Sequence, residues 1–388
     1  MRLAVVAAGF TPEEADQLRR AMAAYRHTGA VTTFRDKMLA GMAARGYDRE
    51  FAERCFKQIE GFGTYGFPES HAASFAMLVY VSAWLKCHYP AAFTCALLNS
   101  LPMGFYGPSQ LVRDAREHGV EVWAVDVNHS DWDCTLEPAG RGRALRLGLR
   151  QIKGLSKQDA ERLVAARGAR PYQSPRDVRV RSGLAVQALG LLAEADAWTS
   201  VGLDRRQALW QVKALGEAPL PLFAGLETAP SVEPAVVLPA LTRGEAVGED
   251  YRTLSLSLKC HPLALLRDHL DRERPPILQA SRLAGVSEGR TVGVAGLVLV
   301  RQRPGTAKGV MFITLEDETG VVNLVVWPDV AEQLRRPLLS ASLLAVTGKV
   351  QREDGVTHVI VRTAADLTGW LRTLIDVDGG MPRSRDFR

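Results

Sequence analysis

Val292-Gly293-Val294-Ala295-Gly296-Leu297-Val298-Leu299-Val300 opens the last third of a 388-residue chain, and four runs of the same kind follow it. They are Val310 to Leu315, Val321 to Trp327, Leu343 to Val350 and Val356 to Arg362. β-Branched residues dominate all five, as suits a pleated, half-buried strand. Turn chemistry separates them at Pro304-Gly305, at Glu316-Asp317-Glu318-Thr319-Gly320 and at Glu353-Asp354-Gly355. Between the third and fourth runs, Pro328 to Arg336 reads as helical. Five strands with a helix between the third and fourth is the layout of an OB-fold, a small barrel whose exposed face often binds single-stranded nucleic acid.

Upstream, from Leu147 to about Gln211, the periodicity is helical in short pieces. Ile152-Lys153-Gly154-Leu155-Ser156 resembles the turn of a helix-hairpin-helix motif, and a helix with Ala160, Leu163 and Val164 on one side follows it. After Pro171 and Pro175 a second such unit carries Leu184, Ala188, Leu191 and Leu192 at helical spacing. Hairpins of this kind present backbone N–H groups to a phosphate, with nearby cations adding attraction that ignores base sequence. Arg150, Lys153, Lys157 and Arg162 are the candidates for DNA contact. Ser156 stands where such hairpins usually have a second glycine, and a plain packed helical pair has the same pattern.

Charge supports the nucleic-acid reading. Arg141 to Lys213 holds 15 Lys and Arg against 6 Asp and Glu, a net +9, leaving −4 for the rest of a chain whose total is +5. A local basic segment in a mildly acidic remainder points to a polyanionic partner. Five scattered cysteines, none in a C-x-x-C pair, argue against a disulfide framework and a structural zinc site. The longest weakly polar run, Ala72 to Leu85, is shorter than the roughly 20 residues of a membrane span. No signal-peptide pattern follows Leu3 to Ala8, and the expected location is the cytoplasm.

The first hundred residues read as helical. Thr11-Pro12-Glu13-Glu14 is a capping-box pattern with proline at the first helical position. Helical spacing then covers Phe34 to Ala44, Asp48 to Ile59, Ser70 to His88 and Ala91 to Leu98. Three glycines and a proline between Gly61 and Pro68 predict a structured loop. Gly107 to His118 is another helix, and Val120 to Val125 alternates like a short strand. The proline-rich stretch Ala218 to Pro239 reads as a linker, with Leu220-Pro221-Leu222-Phe223 as a short hydrophobic peptide inside it.

Longer motifs resemble one family. Gly9-Phe10-Thr11-Pro12 with Ala15 to Met22, Gly66-Phe67-Pro68-Glu69-Ser70-His71-Ala72-Ala73-Ser74-Phe75-Ala76, and Trp84-Leu85-Lys86-Cys87-His88-Tyr89-Pro90-Ala91 are similar to the fingers region of bacterial C-family DNA polymerases, the alpha subunits of DNA polymerase III. Asn99-Ser100 through Tyr106, Ser130-Asp131-Trp132-Asp133-Cys134, Arg303 to Gly309 and the final Ser384-Arg385-Asp386-Phe387-Arg388 resemble the error-prone branch. The resemblance implies a multidomain α+β chain: fingers (1–100), a connecting helix and short strand (101–145), and tandem helix-hairpin-helix (146–215). A linker and helical segment (216–288), an OB-fold barrel (289–366) and a tail (367–388) complete it.

By the same resemblance Arg19 and Arg20 face the triphosphate of an incoming deoxynucleotide, where guanidinium forks match phosphate oxygens. Tyr65, Ser70 and His71 would line the nucleotide pocket. The family's palm, whose aspartates hold Mg2+, precedes this segment in the resembling proteins, and phosphoryl transfer needs such converging carboxylates. No catalytic and no metal-binding residue is therefore assigned. Asp131 and Asp133, spaced to share one face of a strand, and the tail residues Asp376 and Asp378 are read as structural.

The expected activity is part of an error-prone DNA-directed DNA polymerase that copies damaged template. This chain is expected to bind primer-template or single-stranded DNA without polymerising alone. Damage-tolerance accessory proteins are further expected partners; Pro219 stands where a clamp-binding peptide would have glutamine, which argues against clamp binding. The alternative is a stand-alone DNA-binding accessory protein derived from the polymerase.

Overall fold

The computed structural model describes residues 2–23, 32–65, 69–104, 106–140, 142–215, 238–273, 275–304, 307–353, 355–374 and 385–387. They fall into two units, Met1–His88 and Tyr89–Arg388.

The first unit is helical: α1 (Arg2–Ala8), α2 (Pro12–Ala23), α3 (Arg35–Ala43), α4 (Arg49–Tyr65) and α5 (Glu69–His88). Its second helix starts as the sequence pattern requires. The Thr11 amide donates to the Glu14 carboxylate at 3.0 Å, and the Glu14 amide donates to the Thr11 hydroxyl at 3.2 Å. Ala4, Ala8, Phe10, Leu18, Met38, Met42 and Phe56 form the core of this unit. One expectation fails here, because α4 runs straight through Gly61 and Gly63, where the glycines suggested a loop. A helical glycine costs about 1 kcal/mol relative to alanine, which a 17-residue helix tolerates. Residues 66–68 lie outside the described residues.

The second unit opens with α6 (Pro90–Asn99) and α7 (Pro108–Glu117). A small sheet follows, made of β1 (Val122–Trp123), β2 (Thr135–Ala139) and β3 (Gly142–Arg146) in the order β1-β3-β2. The strand read at 120–125 shrinks to two residues, and the β2–β3 hairpin went unread because Pro138 and Gly140 break its alternation. Next come α8 (Lys157–Arg167), α9 (Pro175–Ser182), α10 (Val186–Glu194) and α11 (Arg205–Ala214). A single core that includes Leu145, Leu149, Leu163, Tyr172, Leu189 and Trp198 joins this sheet to these helices.

The linker peptide Leu220-Pro221-Leu222-Phe223 lies outside the described residues. Beyond it stand α12 (Arg243–Leu254), α13 (Pro262–Leu270) and the short β4 (Ile277–Leu278). The barrel is built from β5 (Thr291–Gln302), β6 (Met311–Asp317), β7 (Gly320–Val326), β8 (Leu343–Glu353) and β9 (Val356–Asp366). Between β7 and β8 lie α14 (Pro328–Gln333) and α15 (Arg335–Ser340). The strands run β5-β6-β7-β9-β8, and β8 pairs back to β5, closing the barrel. The β7–β9 contact is parallel and the other four are antiparallel. A register shift between Val298 and Val300 bends β5, so that its first half pairs with β8 and its second half with β6. This is the OB-fold that the five runs announced.

Leu263, Leu266 and Leu270 of α13 pack on the outside of this barrel, against Ala295, Leu297 and Leu343. The segment expected as a tail contains α16 (Thr368–Thr373) and β10 (Arg385–Phe387), which pairs in parallel with Val300–Gln302 of β5. Asp376 and Asp378 lie outside the described residues.

Candidate nucleic-acid interface

The first hairpin begins with a single 3-10 turn, Leu149–Gln151, and not with a full helix. Gly154 has φ +84°, a left-handed conformation that suits glycine, and it turns the chain toward α8. Ser156 caps that helix, its hydroxyl accepting the Asp159 amide at 3.0 Å. Ile152, Leu155, Ala160 and Leu163 anchor the hairpin in the core. The second hairpin repeats the plan: Ser174 caps α9, and Gly183 at φ +66° turns the chain into α10. Tyr172 is buried between the two hairpins, its hydroxyl donating to the Leu163 carbonyl at 2.7 Å and its ring under the Arg181 guanidinium at 4.4 Å.

The four sequence-read cations divide into two pairs. Arg150 turns inward: Nη1 donates to the Asn99 carbonyl at 2.5 Å and to Asp133 at 2.7 Å, and Nη2 donates to the Leu101 carbonyl at 3.1 Å. Lys153 closes the end of α12, its ammonium donating to the carbonyls of Tyr251 at 2.9 Å and Arg252 at 2.8 Å. Burial lowers the Lys153 pKa, and the Arg252 charge adds to the effect. Lys157 and Arg162 instead stand on the exposed side of α8, paired along the helix with Glu161 at 3.6 Å and with Asp159. The Asp159 carboxyl is held below its ordinary pKa, first by the Ser156 hydroxyl and then by Arg162.

The same division runs through the whole +9 segment. Arg146, Arg150, Lys153, Arg167, Arg179, Arg181, Arg205 and Arg206 each donate to a backbone carbonyl at 2.5–3.1 Å. Arg181 alone serves the carbonyls of Ala166, Arg167 and Arg170 at the end of α8. More than half of the cations therefore hold the scaffold together. Among the described residues of the segment the exposed cations are Lys157 and Arg162, Lys153 with its ammonium held on carbonyls, and Arg143, Arg170, Arg176 and Lys213, which sequence reasoning did not single out. On the barrel, outward Lys349, Gln351 and Arg362 line an open depression of about 290 Å³ with Ile360. Phe312 and Trp327 are exposed on the same barrel.

The run Ser130-Asp131-Trp132-Asp133-Cys134 explains itself in this frame. The Ser130 hydroxyl donates to the Leu147 carbonyl at 2.7 Å, and the Cys134 amide donates to the Asn99 side chain at 2.7 Å. Asp131 accepts from Arg167 at 2.8 Å and Asp133 from Arg150 at 2.7 Å. Each carboxylate is thus paired with a different guanidinium group. Among the described residues no group of three or more His, Cys, Asp or Glu is placed to hold a metal ion.

In the first unit Arg19 and Arg20 lie on exposed α2, and both donate to Asp16, at 2.9 and 2.8 Å. Hydrogen bonds from Arg19 and then Arg20 hold the Asp16 carboxyl below its ordinary pKa. Tyr65 ends α4 and Ser70 and His71 begin α5; their side chains lie outside the described residues.

Comparison with known proteins agrees with this geometry. The bacterial DNA polymerase III alpha subunit finger domain matches residues 1–46, the helix-hairpin-helix motif residues 119–208, and the OB-fold nucleic acid binding domain residues 292–367. These three in this order define a chain of the bacterial DNA polymerase III alpha type. An error-prone DNA polymerase of Alkalilimnicola ehrlichii is 55% identical over all of this chain. Error-prone DNA polymerase 1 of Rhizobium meliloti is 52% identical over 96% of it, and the Caulobacter vibrioides enzyme 52% identical over 100%. The chain belongs to the error-prone DNA polymerase family. It spans 35%, 37% and 39% of the length of the Rhizobium, Alkalilimnicola and Caulobacter relatives. A solved asparaginyl-tRNA synthetase from Pyrococcus horikoshii is similar over 21% of this chain and 20% of that one, with 26% identity and a TM-score of 0.18. No helix among the described residues is long and apolar enough to cross a membrane.

Proposed function

We propose that these residues form the nucleotide-facing and DNA-holding part of an error-prone, template-directed DNA polymerase of the cytoplasm that copies damaged DNA. The observation that carries the reading is the identity of 52–55% to error-prone polymerases along the chain, with fingers, helix-hairpin-helix and OB-fold in one order. In this reading 1–100 is the fingers region, 146–215 the tandem hairpin region and 289–366 the barrel. Lys157 and Arg162 touch DNA phosphates directly, while Arg150 and Lys153 set the hairpin in place. Arg19 and Arg20 exchange Asp16 for the triphosphate of the incoming deoxynucleotide, beside Tyr65, Ser70 and His71. The catalytic Mg2+ ions are held by carboxylates of the family's palm, so the 388 residues alone bind primer-template DNA without extending it.

Two measurements test this. Affinity for primer-template DNA should fall steeply with salt, because each neutralised phosphate releases counterions. A flat dependence refutes the hairpin surface as the contact. Primer extension by the purified 388-residue chain, surviving removal of contaminating polymerase, refutes the division of labour.

A further inference from the structure

Helix α5 is apolar on every side. Met77, Leu78, Val79, Tyr80, Val81 and Leu85 are all exposed, with Leu78 at 59%, Val79 at 65% and Tyr80 at 72%. At 3.6 residues per turn, four successive positions point in four directions around the axis. No described residue of α5 belongs to the core of its own unit, which is made by α1 to α4 and the short segments between them. A water-facing helix ordinarily carries one apolar stripe and one polar face; a helix apolar all round is a buried one. Patches of this extent mark interaction surfaces.

The all-round distribution selects the occupant. A second copy pairing helix to helix would cover one side of α5 and leave the opposite side wet. Lipid is disfavoured too, because the helix carries Ser74, Ser82, Lys86 and His88 and is not apolar enough along its length to cross a membrane. Enclosure from all sides requires a fold of several elements, and this chain spans only 37% of its Alkalilimnicola relative. We infer that α5 is enclosed by polypeptide corresponding to the part of its polymerase relatives that lies outside these 388 residues, an inference that rests on the family reading above.

The test mixes the 388-residue chain with that outside portion of the Alkalilimnicola ehrlichii enzyme, expressed separately. Complex mass is read by sedimentation, and burial by alkylation of Cys87, an exposed thiol of the same helix. A one-to-one complex is expected, with Cys87 alkylated at least about tenfold more slowly. Leu78→Lys and Tyr80→Lys, on opposite sides of the helix, should each weaken the complex by about tenfold or more, as truncation of a buried anchor does. Val180→Lys, at an exposed apolar site on α9, should leave it unchanged.

No complex, or one indifferent to both helix substitutions, overturns the inference. So does a chain that dimerises by itself with Cys87 protected, or one that floats with phosphatidylcholine–phosphatidylglycerol vesicles. Should the separate portion prove insoluble, the two portions joined in one chain give the answer: Cys87 labelled as fast as in the 388-residue chain overturns it. An assembled pair that forms yet extends no primer counts against the polymerase reading and leaves the enclosure standing.

Discussion

Arg150 and Lys153 sit within a few residues of Lys157 and Arg162, yet the tertiary structure gives the two pairs opposite tasks. The first pair serves four carbonyls on other segments: Asn99, Leu101, Tyr251 and Arg252. Replacing Arg150 or Lys153 by alanine removes hydrogen bonds from a cation to half-buried carbonyls, which costs about 1 kcal/mol each. Thermal melting should record that loss. Lys157→Ala and Arg162→Ala should shift stability by less than about 0.5 kcal/mol, as exposed helix positions do. Each should instead reduce the slope of log affinity for DNA against log salt by about 1. Equal stability losses from all four would refute the division. Sequence identified the cationic character of the hairpin, and it could not say which cations are spent on carbonyls brought close by chain reversal.

At the scale of elements, caps and turns were legible and long-range pairings were not. The Thr11 box and the Gly154 turn follow from neighbours in sequence. His261 is different. It caps α13, its Nδ1 accepting the Leu263 amide at 3.2 Å, while Nε2 is buried without a hydrogen-bond partner. Burial pushes the imidazole pKa down from 6.5 to about 4, against the pull of Glu318 and Asp317. The unfolded chain therefore takes up a proton that the folded chain refuses between these values. Stability from this group is complete above pH 6.5 and is lost as pH falls toward 4, with a slope of up to about 1.4 kcal/mol per pH unit. Urea midpoints measured across that range should fall more steeply for the wild type than for His261→Asn. Parallel slopes would assign the acid sensitivity to other groups.

The same region fastens the barrel to its surroundings. Glu318 accepts from Arg267 of α13 at 2.7 and 2.8 Å, and Arg113 of α7 lies 2.6 Å from Glu316 of β6. In the sequence, Glu316-Asp317-Glu318-Thr319-Gly320 is merely a turn between strands. Its acidity becomes meaningful once two arginines from distant helices face it, which local pattern cannot reveal.

At the scale of the molecule, the second unit contains both hairpins, the small sheet and the barrel, with their cores, within Tyr89–Arg388. A protein beginning at Tyr89 is therefore expected to melt cooperatively and to keep the salt-dependent DNA affinity of the longer chain. Loss of DNA binding in a folded 89–388 protein would move the contact into the first unit. Such independence follows from burial: a core that closes on itself needs nothing outside it.

The sequence by itself determined the local grammar and the family: five β-branched runs with their turns, capped helices, a basic segment, and motifs shared with error-prone polymerases. Strands and caps depend on residues a few positions apart, so their signals survive in one dimension. The tertiary structure alone decided how the charge is used. It turned eight of the fifteen cations between Arg141 and Lys213 onto backbone carbonyls within 3.1 Å. It also tied Asp131 and Asp133 to separate arginines. The reason is physical. Solvation decides whether a charge reaches a ligand or repairs the fold, and solvation is set by neighbours far away along the chain.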